Sequence, residues 1–237
     1  MDKLSDAAIA RMLTSHHMPD GSHLNLITDI YDFIARNPDR FFDLVWAHVR
    51  LSFTSLLIAL LIYVPFGILF SRIRFGAQLV GLFSAIRVIP SLALVFLFYP
   101  FLGFGDLPAI VALVVLAAPA LITNTYAGLH GVNAAILEAA AGLGMNRAQS
   151  FLKVEAPLAM PVIVAGIRLA AIELLASATL ASFVGAKSLG QYILTGISLL
   201  DTTYLLVGGI PIVLLVLFTD TVLSLAERLL MPGHRAR

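Results

Sequence analysis

Apolar residues run along this chain in five blocks long enough to cross a bilayer, parted by short polar stretches. A hydrocarbon core of roughly 30 Å takes about 20 apolar residues in helical form. The pattern predicts spans at 51–70, 77–102, 107–126, 161–185 and 204–225. The second is interrupted by Arg87 and Pro90, and the fourth carries Arg168 and Glu173. Hydrocarbon offers no partner to backbone N–H and C=O groups, so each block must be a helix that satisfies itself. The expected fold is an all-α integral membrane protein with about five transmembrane helices.

Ahead of the first block the pattern changes. Ile27, Ile30, Tyr31 and Ile34, with Leu24 before them, recur at helical spacing, while Asp29 and Asp32 fall elsewhere on the turn. That is the pattern of an amphipathic helix lying on a membrane or on protein. Asn37-Pro38 reads as a cap followed by a first-turn proline. Phe41, Phe42 and Trp46 fall where an aromatic belt would lie. The expected organisation is a polar tail at 1–23, an amphipathic helical segment at the membrane surface at 24–46, a transmembrane domain at 47–228 and a tail at 229–237. No repeat period is visible.

Composition agrees with lipid as the main solvent: 59% of the 237 residues are hydrophobic and 12% are charged, against about a quarter charged in soluble domains. A net charge of +1 gives no reason to expect nucleic acid. With no cysteine, disulfides, thiolate metal sites and cysteine nucleophiles are excluded. The N-terminal residues lack the apolar core of a signal peptide, so insertion is expected to use the first span. Arg72 and Arg74, Arg147 and Lys153, and Arg228, Arg235 and Arg237 cluster in alternate connections. The positive-inside rule puts that side in the cytoplasm. Five spans with a cytoplasmic C-terminus then leave the N-terminus outside.

One polar stretch, EAAAGLGMNRAQSFLKVEAP at 138–157, is too polar to span and too regular for an ordinary loop. Helix formers are broken by Gly142 and Gly144, and an amphipathic pattern resumes through Gln149, Phe151, Leu152 and Val154 to Pro157. This predicts two short helices around a tight turn, a shape suited to docking in a groove of another protein. The stretch resembles the EAA loop of the integral-membrane permeases of ABC importers. Glu138-Ala139-Ala140, then Gly144, then Val154-Glu155-Ala156-Pro157 stand in its register, with Val154 and Ala156 in place of the usual Ile and Leu. The resemblance implies that Glu138, Ala139, Ala140, Gly142, Gly144, Met145, Arg147 and Pro157 belong to a coupling region that inserts into an ATPase subunit. Read by itself, Glu138 is equally a carboxylate stabilised near a helix start, and Gly144 a C-cap. RVIPSLAL at 87–94, GIRLA at 166–170 and the run 178–211 resemble the osmoprotectant subfamily, whose members import glycine betaine, choline or carnitine. Lys187 departs from the small-residue run usual there.

Charges inside spans are costly and usually have a partner or face water. Arg87 and Glu173 could pair between the second and fourth spans; Glu173 could instead face the pathway, and Arg87 could snorkel. Arg168 reads as a snorkelling side chain, Asp220 as facing the bundle or cytoplasmic water. Pro90 is a packed kink or, with Ser91, a hinge lining the pathway. Arg87, Pro90, Ser91, Glu173 and Ser177 are the expected pathway residues. No compact aromatic cage for a quaternary ammonium ion is visible. GAKS at 185–188 lacks the Walker A spacing, so ATP and Mg are expected on a separate ATPase. His16 and His17 lie in the polar tail and make a weak metal candidate; no metal, nucleophile or acid–base cluster is expected. The reading is therefore a non-enzymatic permease subunit of the bacterial inner membrane. Its expected partners are ABC ATPase subunits, a second permease copy or paralogue, an external solute-binding protein and lipid. The alternatives are a methionine or other amino-acid permease and, from a different class, an ATP-independent channel or membrane enzyme.

Overall fold

A computed structural model describes residues 26–230, and all regular structure among them is helical. The polar tail, His16 and His17, Leu24 and the C-terminal residues from 231 onward lie outside the described residues. The chain divides into two compact units, Met1–Pro38 and Asp39–Arg237. The first contributes one described helix, α1 (Leu26–Arg36), which buries no residue and leaves Ile27 and Tyr31 exposed. In the second unit α2 (Pro38–Phe70) starts at the proline and runs unbroken through the first apolar block.

The second unit continues with α3 (Gly76–Ser84), a 3-10 turn at Ala85–Val88, α4 (Ser91–Leu102), α5 (Asp106–His130), α6 (Ala134–Gly142) and α7 (Arg147–Ser150). A π turn at Phe151–Glu155 leads into α8 (Ala156–Ser177), then come a 3-10 segment at Ala178–Val184, α9 (Gly190–Leu199) and α10 (Thr202–Leu230). Four helical runs are long and apolar enough to cross a membrane: Pro38–Phe70, Asp106–His130, Arg147–Val184 and Thr202–Glu227. The predicted second span is a bent pair, Gly76–Val88 and Ser91–Leu102, at 93° to each other. Pro90 does more than kink it. The helix tightens to 3-10 geometry before Ile89, and Pro90 (φ −56°, ψ 133°) is the extended residue from which α4 restarts.

α5 is the central element. It packs on α3, α4 and the intervening 3-10 turn on one side and on α8 on the other. Its buried positions mix small residues, among them Ala109, Ala112, Ala117, Ala118 and Ala120, with larger ones such as Leu113, Leu116, Leu121 and Ile122. Between helices in lipid, small residues let backbones approach and gain dispersion contact where the hydrophobic effect contributes little. Gly166 of α8 is one such point: a Cβ there would overlap the Cβ of Asn124 and sit 3.1 Å from the Ala120 carbonyl. α10 packs on α8 and α9. On α2 and α10, Phe42, Trp46, Phe53, Leu61, Val213 and Leu217 remain exposed, as lipid-facing or subunit-facing surfaces would.

Several polar groups inside this bundle are matched, although the buried Nδ1 of His48 has no hydrogen-bond partner. His48, fully buried, donates from Nε2 to the Leu175 carbonyl at 3.0 Å. Ser52 and Ser55 donate to carbonyls of their own helix, and Ser84 and Thr123 share a hydrogen bond at 3.1 Å. Arg168 has carboxylate partners on α10. It donates to Asp220 at 2.5 Å and lies 3.8 Å from Glu227, which ties α8 to α10. Lys187 pairs with Asp43 at 3.3 Å, and Arg50 with Asp106 at 2.9 Å.

Candidate functional site: the polar corner at 133–157

Asn133 caps α6 by accepting from the Ala135 N–H at 2.9 Å, a contact that satisfies one of the donors left open at a helix start. Glu138 is therefore the fifth residue of α6 and not a helix-start carboxylate, so the dipole argument does not apply to it. Glu138 and Ala139 are exposed, whereas Ala140 is buried.

α6 ends in a Schellman arrangement. The Gly144 N–H donates to Ala141 at 2.9 Å and the Met145 N–H to Ala140 at 3.2 Å. That closure requires left-handed backbone at the residue past the cap, and Gly144 has φ +80°. No atom lies within 4 Å of where its Cβ would be. Glycine is thus demanded here by the backbone and not by crowding. Gly142 has equal space and no positive φ. The next helix starts at once. Asn146 accepts from the Gln149 N–H at 2.9 Å while the Gln149 side chain accepts from the Asn146 N–H at 3.0 Å, a complete capping box. A Schellman closure and a capping box back to back form the corner, and Leu143 at its tip is 80% exposed.

The predicted second short helix is different in one respect. α7 does not stop at Pro157 but runs through the π turn into α8, so that Arg147–Val184 is one helical run of 38 residues. An interior proline clashes with the carbonyl four residues back. The wider π turn opens the ladder at that level: the Ala156 N–H reaches back five residues to Phe151, and Pro157 falls in the first turn of α8.

Between α6 and this run lies a cleft of about 710 Å³ whose lining includes Ile68, Leu137, Met145, Arg147, Phe151 and Glu155. Arg72, from the connection after α2, donates to Glu155 at 2.7 Å and lies over the Phe151 ring at 5.4 Å from its centroid. The Glu155 side chain is only 7% exposed. Arg147 stands at the cleft and belongs to none of the ion pairs among the described residues.

The sequence-expected pathway residues are spread over the elbow and the top of α8. Arg87 is exposed in the 3-10 turn, Pro90 and Ser91 open α4, Glu173 is half-buried on α8, and Ser177 ends it. α4 packs on the 178–184 segment that follows Ser177, with Phe96 edge-on to Phe183 at 6.1 Å. Arg87 and Glu173 make no ion pair within 4.0 Å. Sequence reasoning passed over His48, the place of Phe151 under Arg72, and the Arg72–Glu155 pair. The last two groups are 83 residues apart and carry no joint signal, whereas the Asn146-x-x-Gln149 box was readable.

Residues 63–234 match the family described as the binding-protein-dependent transport system inner membrane component. The chain belongs to this family. It is an inner membrane transport component by that membership, with four to five membrane-crossing helices. Among curated relatives of this permease is the choline transport system permease protein OpuBB of Bacillus subtilis, 39% identical over 88% of this chain and 96% of the relative. The glycine betaine/carnitine/choline permease OpuCB of the same organism is 39% identical over 78% of this chain and 86% of its own. The osmoprotectant import permease OsmY of Salmonella typhimurium is 40% identical over 78% and 80%. Among solved structures, an inward-facing form of the MetNI methionine ABC transporter superposes with a TM-score of 0.72 at 24% identity, over 80% of this chain and 95% of that one. That likeness establishes the fold of the permease.

Proposed function

We propose that this permease imports quaternary-ammonium osmoprotectants of the glycine betaine, choline and carnitine type. It would work in an assembly with separate ATPase subunits, which hold ATP and Mg, an external solute-binding protein and a second permease copy or paralogue. The corner at 138–147 is the coupling element, on the cytoplasmic side, and Glu138, Ala139, Ala140, Gly142, Gly144, Met145, Arg147 and Pro157 make up or support it. The observation that carries this reading is the double-capped corner in the EAA register, with an exposed leucine at its tip and no break between it and a membrane-crossing helix. Three relatives whose names state choline, betaine or osmoprotectant transport support the substrate class. Glu173, half-buried on α8, is the carboxylate we assign to attracting a cationic head group near Pro90, Ser91, Ser177 and Arg87.

The test is uptake of labelled glycine betaine, choline, carnitine and methionine by the complete reconstituted complex, with and without ATP. ATP-dependent uptake of a quaternary ammonium compound is expected. Uptake of methionine alone would overturn the substrate class, and uptake without ATP would overturn the coupling. Gly144→Asp is expected to abolish ATP-coupled uptake and leave membrane insertion intact.

A further inference from the structure

The coupling corner rests on one helical run, yet two other membrane elements meet beside it: α2 ends at Phe70 and α3 begins at Gly76. The five residues between, 71–75, hold Arg72. Its guanidinium grips both ends of the π turn at once, bonded to Glu155 at 2.7 Å and stacked over Phe151 at 5.4 Å. The carboxylate is 7% exposed, where an ion pair is screened less and its removal leaves a buried charge without compensation. A planar guanidinium, with its forked donors and flat face, suits a carboxylate and an aromatic face together better than an ammonium does. π turns are uncommon and recur at functional positions and bends. Here the turn is the sole irregularity between the corner and α8 among the described residues.

We propose that Arg72, Glu155 and Phe151 form a clamp that makes the α2–α3 connection move with the coupling corner. Arg72 and Glu155 are positioning residues for the transport cycle, not ligands of the solute or the nucleotide. The proposal rests on the coupling reading above. With the clamp closed, displacement of the corner reaches α8 through the helix and reaches α2 and α3 through the Arg72 ion pair. With it open, the corner still docks and the ATPase still turns over, but only one of the two routes remains.

The experiment uses the full complex in proteoliposomes and measures ATPase co-purification, ATP hydrolysis stimulated by the binding protein, and solute imported per ATP hydrolysed. Arg72→Gln and Glu155→Gln are expected to retain the ATPase and its hydrolysis while import per ATP falls about tenfold, a loss of about 1.4 kcal/mol of coupling at 25 °C. The exchange variant Arg72→Glu/Glu155→Arg is expected to recover part of it. Unchanged import per ATP in the single variants would overturn the clamp. So would single losses that simply add in the double variant. As a readout independent of variant folding, spin labels at cysteines placed at the exposed positions Ile73 and Leu152 report the clamp directly in otherwise wild-type protein. Their separation is expected to be the same in nucleotide-free and ATP-bound complexes, and a change of separation between those states would overturn the proposal. The two readings fail differently. If Gly144→Asp keeps the ATPase and full uptake, the coupling reading is wrong; if it loses them while Arg72→Gln behaves as wild type, only the clamp is wrong.

Discussion

Gly144 and Gly142 stand two residues apart in a corner that gives both ample room, yet the backbone asks glycine of only one. A residue with a Cβ costs about 1–2 kcal/mol in left-handed backbone, and asparagine bears it best. Co-purification of the ATPase is therefore expected to fall in the order Gly144, Gly144→Asn, Gly144→Ala, Gly144→Val. Gly142→Ala, by contrast, is expected to keep α6 intact or firmer by helix propensity; if it abolishes co-purification, the space at 142 is used by the partner. His48 gives a second test at this scale. His48→Leu leaves the Leu175 carbonyl without its donor in a site with no solvent, a cost of about 1–3 kcal/mol. A lower Tm in detergent is expected, partly restored by His48→Gln. The glycine register was visible in the sequence because a Schellman closure writes itself locally. His48 was not, because its partner is a backbone carbonyl 127 residues away and a histidine among apolar residues looks the same paired or unpaired.

At the level of elements, apolar runs announced the long helices, since a bilayer imposes both length and composition on them. Their ends were harder to read. The fourth span looked as if it began at Pro161, past Pro157 and several charges, whereas the helix begins at Arg147 and absorbs Pro157 with a π turn. Nothing in the composition of FLKVE signals i→i+5 bonding. Two predictions concern how elements are held together. Gly166→Val should part α5 from α8 and lower the Tm, while Gly81→Val, which meets nothing within 4 Å, should not. In the network joining α8 to α10, Arg168 serves two carboxylates. Arg168→Gln leaves both without their cation, so it is expected to harm stability more than Asp220→Asn, and Asp220→Asn more than Glu227→Gln. Equal effects of the three would show that the network contributes little.

For the molecule as a whole, the number of membrane crossings hinges on the 93° elbow at residues 85–90. Pro90 flagged an interruption, but the size of the bend depends on the tightening of Ala-Ile-Arg-Val to 3-10 geometry, which no propensity singles out. The natural absence of cysteine makes the topology directly testable. Single cysteines replacing the exposed residues Ile73 and Leu143 are expected to react with an impermeant thiol reagent only from the cytoplasm. Those replacing Phe104 and Leu200, also exposed, should react only from outside. Reaction of residues 73 and 104 from the same side would mean that the bent pair enters and leaves by one face.

The unbroken run from Arg147 to Val184 has one more consequence. Surface connections generally accept extra residues at small cost. A residue added to a helix, however, turns everything beyond it by about 100° and advances it by about 1.5 Å. One alanine inserted after Ala148 would thus rotate the face that α8 shows to α5, or else rotate the corner away from its partner, and four would nearly restore the phase. By its polarity the stretch passes for a loop, but its length is fixed as strictly as the pitch of a screw.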